Sequence, residues 1–166
     1  GSNTAVGRQA LTSNTTASAN TAIGYQAGYS NATGAPITAV GYKAAYSTTG
    51  NSVVAIGANA AQLNTSGTAL VSIGDSALYA NTTGSYNVGI GVSALTSNTT
   101  AGNNTAVGYQ AGYSNTTGDA TTAIGTKALR GNTTGRFNTG LGYEALYANT
   151  TGTYNVAVGS AALTSN

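Results

Sequence analysis

The sequence predicts an all-β fold, a parallel β-solenoid of about ten 17-residue coils, and three observations predict it. A motif of small residue, aliphatic residue, Gly, two variable residues and Ala recurs from Ala5-Val6-Gly7 with Ala10 to Ala157-Val158-Gly159 with Ala162. Its glycines, Gly7, Gly24, Gly41, Gly57, Gly74, Gly91, Gly108, Gly125, Gly142 and Gly159, are 17 residues apart at every step except Gly41 to Gly57, which is 16. Between the motifs, Asn-Thr-Thr-Gly or a near variant keeps the same period, as in Asn81-Thr82-Thr83-Gly84 and Asn132-Thr133-Thr134-Gly135. A fixed period of this length marks one supersecondary unit stacked on copies of itself.

The strand comes first in each repeat. The residue before the motif Gly is aliphatic (Val6, Ile23, Ile73, Leu141), and the residue three before it is β-branched (Thr4, Thr21, Val54, Val88, Thr139). The position between them is small (Ala5, Ser72, Gly89, Ala106, Gly140). That alternation belongs to a strand with one bulky and one nearly bare face. The bulky face is expected to fill the lumen, and the bare face to pack against sister chains around a threefold axis.

The motif Gly is expected to bend the chain into a second short strand through Ala-Leu-Tyr. Asn-Thr-Thr-Gly then closes the coil as a turn, with Asn bonding local backbone and Gly supplying positive φ. The single short step supports the turn. The third copy reads Ser47-Thr48-Thr49-Gly50 and lacks the Asn, and a one-residue loss inside a strand would reverse every side chain. Helices compete poorly, because each copy carries Gly and Thr-Thr breakers and shows no 3.6-residue apolar stripe. Ten coils stacked at ~4.8 Å make a rod roughly 45–50 Å long. Residues 1–166 form one repeat domain without an atypical capping repeat, and the last copy stops mid-repeat at Asn166. Both features predict a slice of a longer fibre, or ends that stack head to tail into a filament.

Composition narrows the function. With no Cys and no His, disulfides, thiol nucleophiles and the commonest general base and metal ligand are absent. The three acids, Asp75, Asp119 and Glu144, fall at different places in the repeat, so no pair is expected to act as acid and base. The expectation is therefore no enzyme, no cofactor and no metal. A net charge of +2 is too sparse for a nucleic-acid footprint. No apolar run approaches the ~18 residues of a membrane span. Charged residues make up only 5%, as in a flexible linker, but 40% of the chain is apolar and includes Val, Ile, Leu and Tyr that such linkers lack.

Three recurring side-chain sets are candidate surfaces. Tyr29, Tyr46, Tyr79, Tyr113 and Tyr147 fall five residues after a motif Gly, and Tyr25, Tyr42, Tyr109 and Tyr143 one after. These should form ladders that either stack neighbouring coils together or present an aromatic strip to a glycan or host-surface protein. Asn14, Asn31, Asn64, Asn81, Asn98, Asn103, Asn115, Asn132 and Asn149 each begin an Asn-X-Ser/Thr acceptor sequence. Turn chemistry that happens to satisfy the acceptor sequence is the structural reading, and N-glycosylation is the functional alternative. Thr82-Thr83, Thr99-Thr100 and Thr116-Thr117 stack in register, so an ice-binding solenoid with Thr ladders is the alternative function.

The strings Asn51-Ser52-Val53-Val54-Ala55-Ile56-Gly57-Ala58-Asn59-Ala60 and Asn104-Thr105-Ala106-Val107-Gly108-Tyr109-Gln110-Ala111 resemble the head repeats of trimeric autotransporter adhesins. They are also similar to related repeats in phage and giant-virus tail-fibre proteins. The resemblance covers essentially the whole chain. It implies a left-handed parallel β-roll, a homotrimer, an extracellular, cell-surface or virion location, and a role in adhesion or fibre building. Adhesin head coils are shorter than those here, and the shared motif is architectural, so it brings no receptor site with it.

Overall fold

The computed structural model describes residues 1–34 and 36–165; Asn166 lies outside them. The strands are β1 (Thr4–Val6), β2 (Thr21–Ile23), β3 (Ile37–Val40), β4 (Val53–Ile56), β5 (Leu70–Ile73), β6 (Val88–Ile90), β7 (Thr105–Val107), β8 (Thr122–Ile124), β9 (Thr139–Leu141) and β10 (Val156–Val158). They form one parallel sheet in sequence order. Like positions pair with like, as in Thr105↔Thr122, Ala106↔Ala123 and Val107↔Ile124. The chain is thus a β-solenoid with one strand per coil. Positions below are counted from the motif Gly, and a coil runs from one such Gly to the next.

The direction of the strand faces reverses the sequence expectation. The small residues at position −2 point into the lumen, where Ala22, Ala39, Ala55 and Ala106 are fully buried. The aliphatic residues at −1 point out, and Val6, Ile23, Leu141 and Val158 are 55%, 41%, 42% and 67% exposed. The lumen is too narrow for anything else at −2. Even the glycines there are tightly enclosed: a Cβ on Gly89 would lie 3.2 Å from Leu78 Cγ and 3.3 Å from the Ala94 carbonyl oxygen. Where a polar residue enters, it is satisfied, since Ser72 Oγ donates to the Ala77 carbonyl at 2.7 Å.

Beyond the motif Gly the expected second strand is replaced by a tight curl. Residues at +2 and +4 take positive φ, as in Ser76 (54°) and Leu78 (49°), so the chain cannot extend. This left-handed conformation strains β-branched residues most, and position +4 holds only Leu, Ala or Gly throughout. Inter-coil bonding continues through the curl, with Ser76 N–H donating to Ala58 O at 2.9 Å and Leu78 N–H to Ala94 O at 2.9 Å. The motif Gly is required twice over. Its φ lies near 130°, and a Cβ on Gly7 would fall 2.6 Å from the Gly24 carbonyl oxygen one coil on.

Opposite the Ala columns, the lumen is lined by amides. Asn98 Nδ2 donates to Asn81 Oδ1 (2.8 Å) and Asn115 Nδ2 to Asn98 Oδ1 (3.0 Å), and the chain of bonds runs on through Asn132 and Asn149. Each of these amides also bonds its own turn, as Asn98 Nδ2 does to Ala101 O at 3.0 Å. A second column at +13 works through the backbone: Asn87 Oδ1 accepts from Asn104 N–H at 3.0 Å. Buried amides cost stability unless bonded, and from Asn64 to Asn149 the coil repeat supplies each turn amide with the same kind of partner one coil away.

The third copy shows how this ladder takes a deletion. Thr48, fully buried, occupies the Asn place and its Oγ1 accepts from Asn64 Nδ2 at 2.8 Å. The residue missing from the turn is therefore one of the two Thr rather than the Asn, which alignment by residue type had suggested. The strands stay in register across the step, with Val40 facing Ile56. The substitution leaves Asn31 Oδ1 without the donor that an Asn would bring, and both polar atoms of the Asn31 amide are buried and unbonded. The turn glycines also differ from expectation. Gly67 and Gly84 do not take positive φ; a Cβ on Gly67 would strike the Gly84 carbonyl oxygen one coil on, so close packing of coils, not backbone conformation, favours Gly there, with Ala17 and Ala101 in its place in two copies.

In every complete coil but the seventh, where Gly112 is paired with Thr121, lumen volume is exchanged between two positions. In coils with Leu at +4, position +13 is Asn: Leu11 with Asn20, Leu78 with Asn87, Leu95 with Asn104, Leu129 with Asn138 and Leu146 with Asn155. In the second to fourth coils +4 shrinks to Gly28, Ala45 and Ala61, and +13 becomes Ile37, Val53 and Leu70, all buried. The two sites share space, because a Cβ on Gly28 would lie 3.0 Å from Ile37 Cδ1. Ala61→Leu alone should therefore overpack the fourth coil and cost ~1–3 kcal/mol, and Leu70→Asn alone should cost ~2–5 kcal/mol through lost apolar volume. The double variant should lose less than the sum of the two, as read from urea denaturation of all four proteins.

Candidate functional site

Because the small residues turn inward, the outer strand face carries two columns of larger side chains. Position −1 is aliphatic in all ten copies, in an unbroken row from Val6 to Val158. Beside it, position −3 carries Thr or Val, from Thr4 to Val156. Neither column contains a charged residue. Isolated exposed aliphatics are ordinary, whereas a contiguous row marks an interaction surface or an aggregation hazard. Sequence reasoning found these residues but assigned them to the lumen.

The tyrosine columns form blocks, not one continuous ladder. Tyr29 stacks on Tyr46 (centroids 5.0 Å apart, 13° between planes) and Tyr25 on Tyr42 (5.4 Å, 16°). Lys43 Nζ lies 5.4 Å from the Tyr42 ring centroid and 5.7 Å from that of Tyr46, capping both stacks. Further along the rod, Arg130 takes the place of a tyrosine between Tyr113 and Tyr147, its guanidinium 5.2 and 5.7 Å from their centroids. Arg130 Nε also donates to Gln110 Oε1 at 3.0 Å. Tyr79 has Gln62 and Thr96 as its neighbours in the column, which interrupts the ladder there. All five tyrosines at +5 are half-buried. Each stack adds on the order of 0.5–1.5 kcal/mol of inter-coil contact.

A third aromatic set escaped the sequence reading. Tyr86, Phe137 and Tyr154 at +12 are 65%, 44% and 75% exposed, and Phe137 stacks on Tyr154 at 5.0 Å. The signal was their common position just before each strand, diluted because Ala19, Ser52, Asn103 and Ala120 occupy the same place in other coils.

The acceptor sequences divide sharply by burial. Asn31, Asn64, Asn81, Asn98, Asn115, Asn132 and Asn149 are lumen residues with at most 1% exposure, so sugar on any of them is incompatible with the folded coil. Asn14 is half-buried, and only Asn103 is at the surface. The seven buried acceptors are turn and ladder chemistry. The stacked threonines are likewise structural in part: Thr82, Thr99 and Thr116 Oγ1 each donate to the carbonyl of the corresponding Thr one coil on, at 3.0–3.1 Å.

The charged residues pair in the same coil-to-coil manner. Lys127 meets Glu144 at 3.5 Å and Arg136 meets Asp119 at 2.7 Å. The Glu144 carboxylate also accepts a bond from the Tyr143 phenol and repels its anion, raising the phenol's ionisation above the usual range. Asp75 is held by Ser76 Oγ at 2.6 Å. The three carboxylates do not converge, and the described residues show neither a concave pocket nor a cluster of three metal-ligating side chains. No family model, curated protein or solved structure matches the chain.

Expression in an N-glycosylating host tests the burial of the acceptors. Intact-mass and peptide analysis of the folded product should place any sugar on Asn103 alone, since the Asn14 amide nitrogen is itself buried; sugar on Asn98 or Asn115 in folded protein would contradict the lumen assignment.

Proposed function

We propose that this chain is a rigid segment of an extracellular or virion fibre, a left-handed β-roll that assembles as a homotrimer and serves attachment or filament building. The observation that carries the reading is the outward column of ten aliphatic residues. Handedness, trimer and location rest on the resemblance to adhesin head and tail-fibre repeats. The association surface is the aliphatic strand face and not the bare face, which is consumed inside the coil.

Three features of that face favour copies of the same chain as its cover. It has no charge to desolvate. Its columns repeat at the inter-coil spacing, so a parallel sister rod presents the matching period along the full length. Its extent is adequate: ~43 Å by ~14 Å gives about 600 Å² per copy and about 1,200 Å² for a pair, the lower limit of stable interfaces. In a threefold arrangement each chain divides this stripe between two neighbours, about 1,800 Å² over three copies, and the aggregation hazard goes with it.

Light scattering and native mass measurement test this directly. The expected species is three chains. Replacing Ile56, Ile73 and Ile90 together by Ser should yield folded monomer with β-rich circular dichroism intact, since all three side chains lie outside the lumen. A wild-type chain that stays monomeric at concentrations of about 100 μM, well above ordinary micromolar affinities, would refute association through this face. Long end-to-end filaments that survive the triple substitution would place assembly at the rod ends.

A further inference from the structure

The first three coils carry an unpaired positive patch beside the tyrosine stacks. The chain's acidic side chains, Asp75, Asp119 and Glu144, all come later in the sequence, and Lys127 and Arg136 are committed to two of them. Arg8 and Lys43 have no carboxylate partner among the described residues. Lys43 is nevertheless held in place, because its ammonium rests on the rings of Tyr42 and Tyr46. Gln9 and Gln26 precede Lys43 in the +2 column, and Gln26 Nε2 donates to Gln9 Oε1 at 2.9 Å. Tyr25 and Tyr42 follow Arg8 in the neighbouring +1 column.

We propose that this patch binds an acidic polysaccharide, with Arg8 and Lys43 each taking a carboxylate or sulfate and the Gln and Tyr groups between them taking sugar hydroxyls. Arg8 and Lys43 lie two coils apart, ~10 Å along the rod axis, a spacing suited to a polymer with an anionic group on every second sugar. The intervening groups suit hydroxyls, since an amide and a phenol each both donate and accept. Single-stranded nucleic acid fits poorly. Its bases need open aromatic faces, and here Tyr25 and Tyr42 cover each other while Lys43 covers Tyr42 and Tyr46. Two free cations also supply little of the charge that a phosphate backbone draws on. Contacts this few make one site weak and salt-sensitive, and repetition around an assembled rod multiplies them. The inference rests on the attachment part of the fibre reading and adds a ligand class to it.

The test passes intact chain over immobilised polygalacturonate, heparin, neutral dextran and poly-glutamate at low salt. Retention is expected on the two acidic polysaccharides, with none on dextran and less on poly-glutamate. Lys43→Gln and Arg8→Gln should each weaken binding about fivefold or more, as loss of a charge-assisted contact does, while Lys127→Gln, which removes a cation already paired, should change it little. Failure to bind either acidic polysaccharide, equal retention on poly-glutamate, or equal weakening by Lys127→Gln overturns the proposal. Light scattering on the same samples keeps the two readings apart: a trimer that ignores acidic polysaccharides sinks the patch alone, and a monomer that binds them sinks the assembly alone.

Discussion

A lumen so filled by the Leu, Ile and Asn side chains of the curl and turn that only an Ala-sized space remains behind the middle of each strand governs this rod. Stacking coils at the parallel-strand spacing brings each residue into contact with its own counterpart one turn on. Interior positions must then be small, or must exchange volume within the coil, as Gly28 does with Ile37. The same stacking supplies polar interior residues with identical partners, so that Asn81, Asn98 and Asn115 satisfy one another as backbone groups do in a sheet. With Ala, Ser or Gly filling the inward position −2 of each strand, the aliphatic residues at −1 have only the outside left. The exposed stripe is a consequence of the narrow interior.

The period made most of the architecture legible. Ten copies of one motif specified a parallel solenoid, and the 16-residue step located the turn. Three things were not legible, each for a physical reason. The strand alternation shows that two faces differ but not which is inside; the usual rule that bulky residues are buried fails where the coil is too thin to hold them. The +4 residues take a left-handed backbone even as Leu, which residue preference argues against; the tell was the absence of Val, Ile and Thr from a position that freely accepts Leu, Ala and Gly. The Asn of the turns was read for its local bonding, and its lateral bonds to the next coil emerge only when the coils are stacked.

The candidate surfaces follow the same division. Tyrosine columns were visible from spacing, but their break at Tyr79 and the Arg130 insertion between Tyr113 and Tyr147 split them into two blocks. The acceptor sequences recurred for a reason unrelated to glycans, since Asn serves the ladder and the following Thr stitches the turn to its neighbour. Nearly every position serves stacking or faces solvent in a column, which suits a molecule whose contribution is a stiff, repetitive surface.

The account depends most on which strand face is inside, and thiol labelling reads that directly because the chain has no Cys. Ser72→Cys places a sulfur in the lumen and Ile73→Cys places one on the outer column. In dilute native protein the Ile73→Cys thiol should react readily with a maleimide and become protected as chains associate, whereas the Ser72→Cys thiol should stay unlabelled until denaturant is added. Rapid labelling of Ser72→Cys in native protein, with Ile73→Cys protected in the dilute monomer, would show the strands facing the other way and contradict the account.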